Sequence, residues 1–276
     1  MIYDTKKTAT GNDFLVFINF SQTSYNALDY TINLVKAVGG SIEIHNIINP
    51  SEIKDTENHL VAVRSMNEIR HRARKKMNSL VEMLHLENIE AKSSYSMGHY
   101  ETELKRTLAK KRSKIVVIGK RKSGKNSRTL NALINHFTGN VIVVNDDTGY
   151  QGENKIVIGM DGQNCPQSGI SFVSNLSKST KIPIVILIAK NGKKLSHKGH
   201  SIPMLDKGLE IYMYNIEENN ALDGLLEYVK DNEIELLCVG RNKMSDTLIS
   251  RVLKKPSAMI KMIRNIQSPL LIMGNN

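Results

Sequence analysis

The sequence predicts an α/β protein built on parallel β-sheet and made of two similar halves, on three observations. Short uninterrupted runs of β-branched residues, such as Ile115-Val-Val-Ile118, have the composition of strands buried on both faces rather than the alternation of half-exposed ones. These runs alternate with longer stretches whose apolar residues recur at helical spacing. The programme then begins again. Lys155-Ile-Val-Ile-Gly-Met160 matches the first strand, Leu236-Leu-Cys-Val-Gly240 repeats Ile115-Val-Val-Ile-Gly119, and Pro269-Leu-Leu-Ile-Met273 repeats Asn140-Val-Ile-Val-Val144.

Taken in order, Phe14-Leu-Val-Phe-Ile18 is a strand, and Asn19 to Ser24 is its turn into a helix whose packed face is Ala27, Leu28, Thr31, Leu34, Val35 and Val38. Gly39-Gly40 stops that helix, and Ser41 to Ile48 is the second strand. A long helix spans about 61–86, with Met66, Ile69, Ala73, Met77, Leu80 and Leu84 inward and Arg70, Arg74 and Lys75 outward. Ile89 to Met97 is the third strand and ends at Gly98; Glu101 to Lys110 is a helix. Ile115 to Gly119 is the fourth strand. A glycine-bearing basic loop leads from it into a helix carrying Leu130, Leu133, Ile134 and Phe137, and Val141 to Val144 closes the half.

The polar stretch Asp146 to Asn154 is the natural linker and divides the chain into 1–149 and 150–276. In the second half, Ile170, Val173 and Leu176 mark a helix, Ile184 to Ala189 and Leu209 to Asn215 are strands, and Ala221, Leu222, Leu225, Leu226 and Val229 face a helix. The long helix has no counterpart, since only the Gly/Lys/Ser-rich segment 190–208 separates strands two and three. An extra short helix fits Leu248 to Lys254, broken before Pro256.

Composition narrows the function. The 276 residues are 40% hydrophobic and contain two cysteines, Cys165 and Cys238, without C-x-x-C or histidines at metal spacing, so neither a disulfide framework nor a zinc site is expected. No run reaches membrane-spanning length and the N-terminus lacks a signal-like apolar stretch, so a cytoplasmic protein is expected. The net charge of +11 is scattered over several elements. That pattern reads as solvated basic faces, with polyanion or nucleic-acid binding as the alternative. Gly119-Lys-Arg-Lys-Ser-Gly124-Lys125 nearly spells a phosphate-binding P-loop, but Asn126 stands where Mg²⁺ needs a hydroxyl. His197 and His200 lack a third ligand, and no hydrolytic signature occurs, so neither a metal nor catalysis is expected.

The order of these pieces, occurring twice, resembles a tandem universal stress protein. The resemblance is carried by Asn19-Phe-Ser21-Gln-Thr-Ser24 and Asp161-Gly-Gln163 after the opening strands, by Met97-Gly98-His-Tyr-Glu, by the strand ending in Gly119, and by the closing strands. It implies two domains, each a five-stranded parallel sheet with helices on both faces. They are related by a pseudo-two-fold axis, with Val141–Val144 and Leu270–Met273 meeting across it. Burying the exposed edges of both closing strands against each other is the physical reason for that arrangement.

The resemblance also implies a nucleotide site in each half, and both copies depart from its pattern. Lys122 and Lys243 replace the second glycine of Gly-x-x-Gly, Ser127-Arg128 and Pro256-Ser257 stand for Gly-Ser, and the acid near the nucleoside is Asp161 in one half but Asn19 in the other. Proline supplies no N–H to a phosphate. The expectation is a non-catalytic stress-response protein that binds ATP or another adenine nucleotide weakly or in one half only. Asn19, Gly119, Gly124 and Ser127 would form one site, and Asp161, Ile184, Gly240 and Ser257 the other, with Ile184 lining the adenine slot. A weak ATPase is the lowest-ranked reading.

Overall fold

The computed structural model describes residues 12–50, 59–110, 115–120, 127–145, 154–160, 166–190, 211–217, 221–240 and 262–274. The elements run β1 (Asp13–Phe17), α1 (Gln22–Val38), β2 (Ser41–Ile48), α2 (His59–Leu86), β3 (Glu90–Met97), α3 (Tyr100–Lys110), β4 (Ile115–Gly119), α4 (Ser127–His136) and β5 (Asn140–Val144). They continue with β6 (Lys155–Met160), α5 (Gln167–Thr180), β7 (Ile184–Lys190), β8 (Ile211–Glu217), α6 (Ala221–Asp231), β9 (Ile234–Gly240) and β10 (Leu270–Met273). The expected short helix at 248–254 and the segment 190–208 lie outside the described residues, apart from Lys190 itself.

The ten strands among the described residues form one sheet in the order β3-β2-β1-β4-β5-β10-β9-β6-β7-β8, which reads as the same five-strand pattern from either edge. Every neighbour is parallel except at the centre, where β5 meets β10 antiparallel with Leu270 opposite Val143 and Ile272 opposite Val141. The two closing strands thus bury each other's edge, as the pairing rule requires of short apolar strands that would otherwise stay open.

Alternation along the strands divides the core into two layers. Phe14, Val16, Ile42, Ile44, Ile115 and Val117 pack against α1, α2 and α5, while Leu15, Phe17, Val116, Ile118, Leu237 and Val239 pack against α3, α4 and α6. Helices therefore cover both faces, and the strands read as continuous apolar runs because neither face is wet. Within α2, Ala73, Met77 and Leu84 are buried and Arg70, Arg74 and Lys75 exposed. Gly39 ends α1 at φ 71°, its N–H donating to the Val35 carbonyl at 2.8 Å.

The halves interlock beyond the central strands. The rings of Phe14 and Phe172 meet edge to face at 6.2 Å, which joins the layer under α1 to α5. The Tyr30 hydroxyl donates to the Glu235 carbonyl at 3.3 Å. Past β4, the Lys120 ammonium donates to the carbonyls of Arg264 and Ile266 at 3.0 and 3.1 Å. After β5, the Asn145 amide donates to Ile266 and Ser268 at 3.0 and 3.2 Å and to Gln267 as well. Lys120, first of the basic cluster in the sequence, therefore spends its charge on backbone of the other half.

Candidate functional site

In an open α/β sheet, ligands bind beyond the carboxyl ends of strands where successive connections leave in opposite directions. Here that place lies between β1 and β4: the chain leaves β1 through α1 on one face toward β2, and enters β4 from α3 on the other. A cavity of about 200 Å³ sits there. Its floor is Phe17 of β1, Ile18 just after that strand, and Ile118 and Gly119 of β4; β2 contributes His45 and Ile47. Asn19 from the turn before α1, Thr23 and Ser24 from the first turn of that helix and Tyr100 from the start of α3 form the rim.

The loop from β1 into α1 is held by its own side chains. The Asn19 side-chain carbonyl accepts the Ser21 N–H at 3.1 Å and the Ser21 hydroxyl at 2.5 Å, an Asx-type turn. With that hydroxyl committed, Thr23 donates to the Ser21 oxygen at 2.9 Å, and Ser24 donates to the Ser21 carbonyl at 2.8 Å. The Asn46 amide donates to the Ile18 carbonyl at 2.6 Å and so fixes the end of β1 just before the turn. Phe20 takes the left-handed conformation at φ 58°, unusual for so bulky a residue, and the Lys76 ammonium lies 5.0 Å from the centre of its ring.

Gly119 has a packing reason to be glycine. A Cβ there would stand 2.0 Å from the Thr23 carbonyl oxygen, because the first turn of α1 rests directly on the end of β4. This close approach brings the α1 N-terminus over the cavity.

Beneath the rim lies a polar cluster around a buried histidine. His45, only 3% exposed, places Nδ1 2.8 Å from the Ser94 hydroxyl and Nε2 3.2 and 3.1 Å from the hydroxyls of Ser96 and Thr107. Ser94 donates to the Glu43 carboxylate at 2.9 Å, and Lys92 stands 3.6 Å from the other oxygen of that carboxylate. Since Ser94 gives its hydrogen to Glu43, it accepts from His45 Nδ1–H, which leaves Nε2 of the neutral ring as the acceptor of the two hydroxyls.

Of the residues expected at the first site, the structure brings Asn19 and Gly119 together on the cavity. Ser127 is the first residue of α4, and Gly124 lies outside the described residues. Of those expected at the second, Gly240 ends β9 at the corresponding place, while Asp161 and Ser257 lie outside the described residues. Ile184 is a correction. It opens β7 at the amino end, is fully buried beside Ile156, and belongs to the core under α5. A strand of 7 residues at about 3.3 Å each separates it from the carboxyl edge where a ligand would lie, so it cannot line an adenine slot.

Sequence reasoning passed over His45, Asn46, Thr23 and Tyr100. A signal for two of them was present: Glu43, His45 and Asn46 interrupt a strand that is otherwise apolar and buried on both faces. Buried polar groups in such a run need partners, and those partners are Ser94, Ser96, Thr107 and the end of β1.

No protein-family model and no curated protein sequence matches this chain. Solved structures do match it. A universal stress protein from Archaeoglobus fulgidus DSM 4304 superposes with a TM-score of 0.71 at 15% identity, covering 97% of this chain and 100% of that one. A functionally unknown protein from Pseudomonas aeruginosa PAO1 superposes with a TM-score of 0.57 at 12% identity over 96% of this chain and 94% of that one. Likeness at such identity is a statement about the path of the backbone, and with the parallel strand order and the crevice between β1 and β4 it gives this chain the universal stress protein fold.

Proposed function

We propose that this chain is a non-catalytic, cytoplasmic stress-response protein of two tandem domains that works by binding a small ligand, an adenine nucleoside or nucleotide, in the cavity beside Gly119. The observation that carries this reading is the cavity itself, at the sheet's topological switch point and under the N-terminus of α1. Its volume of about 200 Å³ holds a base or a sugar but lies below the range of roughly 300–1,000 Å³ usual for a whole drug-sized ligand, which supports modest affinity. Among the described lining residues there is no carboxylate or thiol, and both His45 nitrogens already have hydroxyl partners. That supports a binder over an enzyme.

The test is calorimetry of the purified chain with ATP, AMP and adenosine, beside mass analysis of whatever copurifies. Saturable binding of an adenine compound without phosphate release is the expected result. Binding of none of them, or phosphate release above background that requires Asp161, would overturn the reading.

A further inference from the structure

The two halves repeat one framework but not one interior. Register aligns Glu43 and His45 of β2 with Val185 and Leu187 of β7, since Leu15 and Phe17 pair with the first two as Val157 and Gly159 pair with the second. Thr107, the eighth residue of α3, corresponds to Tyr228, the eighth of the equally long α6. Where the first half buries a carboxylate, an imidazole and the Thr107 hydroxyl, with Ser94 and Ser96 half-buried beside them, the second buries Val185 and Leu187 at 1% exposure each. The fold is thus made without the polar cluster. Burying such groups carries a desolvation cost even when they are paired, so the cluster calls for a reason other than folding.

Its position supplies one, because His45 lies in the wall of the cavity. We infer that the first-half cavity takes an anionic ligand, a phosphate ester or another oxyanion, and that His45 takes up a proton as the anion binds. The inference rests on the reading of the cavity as a ligand site.

The hydrogen bonds are arranged to permit it. A second proton goes to Nε2, and the hydroxyls of Ser96 and Thr107 change from donors to acceptors by rotating about their C–O bonds, so the new N–H has a partner in place. Nδ1–H continues to donate to Ser94, which relays the interaction to Glu43. The charged groups tied to the imidazole are Glu43 on its own strand, through Ser94, and Lys92 on β3, which faces the Glu43 carboxylate; α3, whose Thr107 meets the ring, carries the Glu103–Arg106 pair, and β1 presents the Phe17 ring edge-on at 5.7 Å. Glu43 favours the imidazolium and Lys92 tempers it. An anion in the cavity tips the balance toward the charged form, helped by the N–H groups of the α1 first turn, which contains no acidic residue. A group that binds its proton more tightly in the complex than in the free protein makes affinity rise as pH falls through the pKa of the complex, reaching its full value below the pKa of the free protein.

The experiment uses a nucleoside 5′-sulfate, whose charge is constant between pH 6 and 8, with adenosine as the neutral control. Calorimetry in two buffers of different ionisation enthalpy counts the protons. The sulfate ester is expected to bind about tenfold more tightly at pH 6 than at pH 8, with net proton uptake, while adenosine shows neither effect. His45→Leu, which places the second half's residue in the first, is expected to flatten the profile. Should that variant not fold, the proton resonances of the His45 ring in the unaltered chain give the same answer through a titration midpoint that rises on adding the sulfate ester. Binding that is independent of pH and takes up no proton would overturn this inference alone, and binding of neither compound at any pH would overturn the ligand site with it.

Discussion

The side-chain carbonyl of Asn140 accepts the backbone N–H of Gly274 at 2.9 Å, across 134 residues of chain. Asn140 opens β5 and Gly274 follows β10, so this bond pins one end of the antiparallel pair that makes a single sheet of the two halves. Both residues are buried. Asn140→Leu keeps the bulk and leaves the Gly274 N–H without its partner, at a cost of about 1–3 kcal/mol. Urea denaturation should show the loss as a lower midpoint at unchanged slope, and a midpoint equal to that of the unaltered chain would mean that the bond contributes nothing.

The same junction is crowded at Gly169. A Cβ there would approach the Met273 Cγ to 2.3 Å and its Cβ to 2.5 Å, too close for a shift of the side-chain tip to relieve. Gly169→Ala should therefore destabilise the chain by about 1–3 kcal/mol, although alanine is otherwise the better helix former. Thermal melts would decide, and a gain in stability would show that β10 and α5 separate more easily than the structure implies.

Asp29 on α1 gives a pH-dependent prediction. Partial desolvation, and then the nearby Glu87 carboxylate, raise its pKa above 3.8. The unfolded chain then loses this proton first, so the group costs stability as pH rises from the unfolded pKa to the folded one, and the whole cost is present above the folded value. Asp29→Asn should raise stability at neutral pH and make no difference well below 3.8. Because Asp29 is an exposed residue, solvent screens the effect and the gain is small. Equal melting shifts at both pH values would contradict this account.

Asn19 stands at the cavity rim where the resembling family carries an acid. Its side-chain oxygen already accepts from Ser21, which an aspartate does equally well, so Asn19→Asp leaves the turn intact. A charge-assisted hydrogen bond to a ribose hydroxyl exceeds the neutral one that asparagine can make by about 1 kcal/mol, and adenosine should bind about fivefold more tightly to the variant. Unchanged affinity in calorimetry would place the nucleoside elsewhere.

Much of the framework is legible in the sequence alone. Ile115 to Gly119 and Ser41 to Ile48 are strands with the expected bounds, and other elements differ by a few residues at their ends: Asp13 rather than Phe14 opens β1, and α2 starts at His59 rather than Val61. These segments were readable because strand and helix periodicity are local properties of the chain, written by burial on two faces or on one stripe. The site was less legible. Asn19 and Gly119 fall on the cavity, but Ile184, as the first residue of a strand, sits at the edge away from the ligand.

What the sequence determined by itself was the strands and helices of the described residues, the repetition of their order and the apolar character of the closing strands, since each follows from neighbours a few residues apart. Only the tertiary structure decided the rest: that Leu270 lies opposite Val143, that Tyr30 reaches Glu235, that Gly119 is glycine because of Thr23, and that His45 meets Ser94, Ser96 and Thr107 beside the cavity. Those contacts join residues far apart in the chain. Backbone pairing, close approach and the need of every buried polar group for a partner select them, and none of these leaves a periodic trace in the sequence.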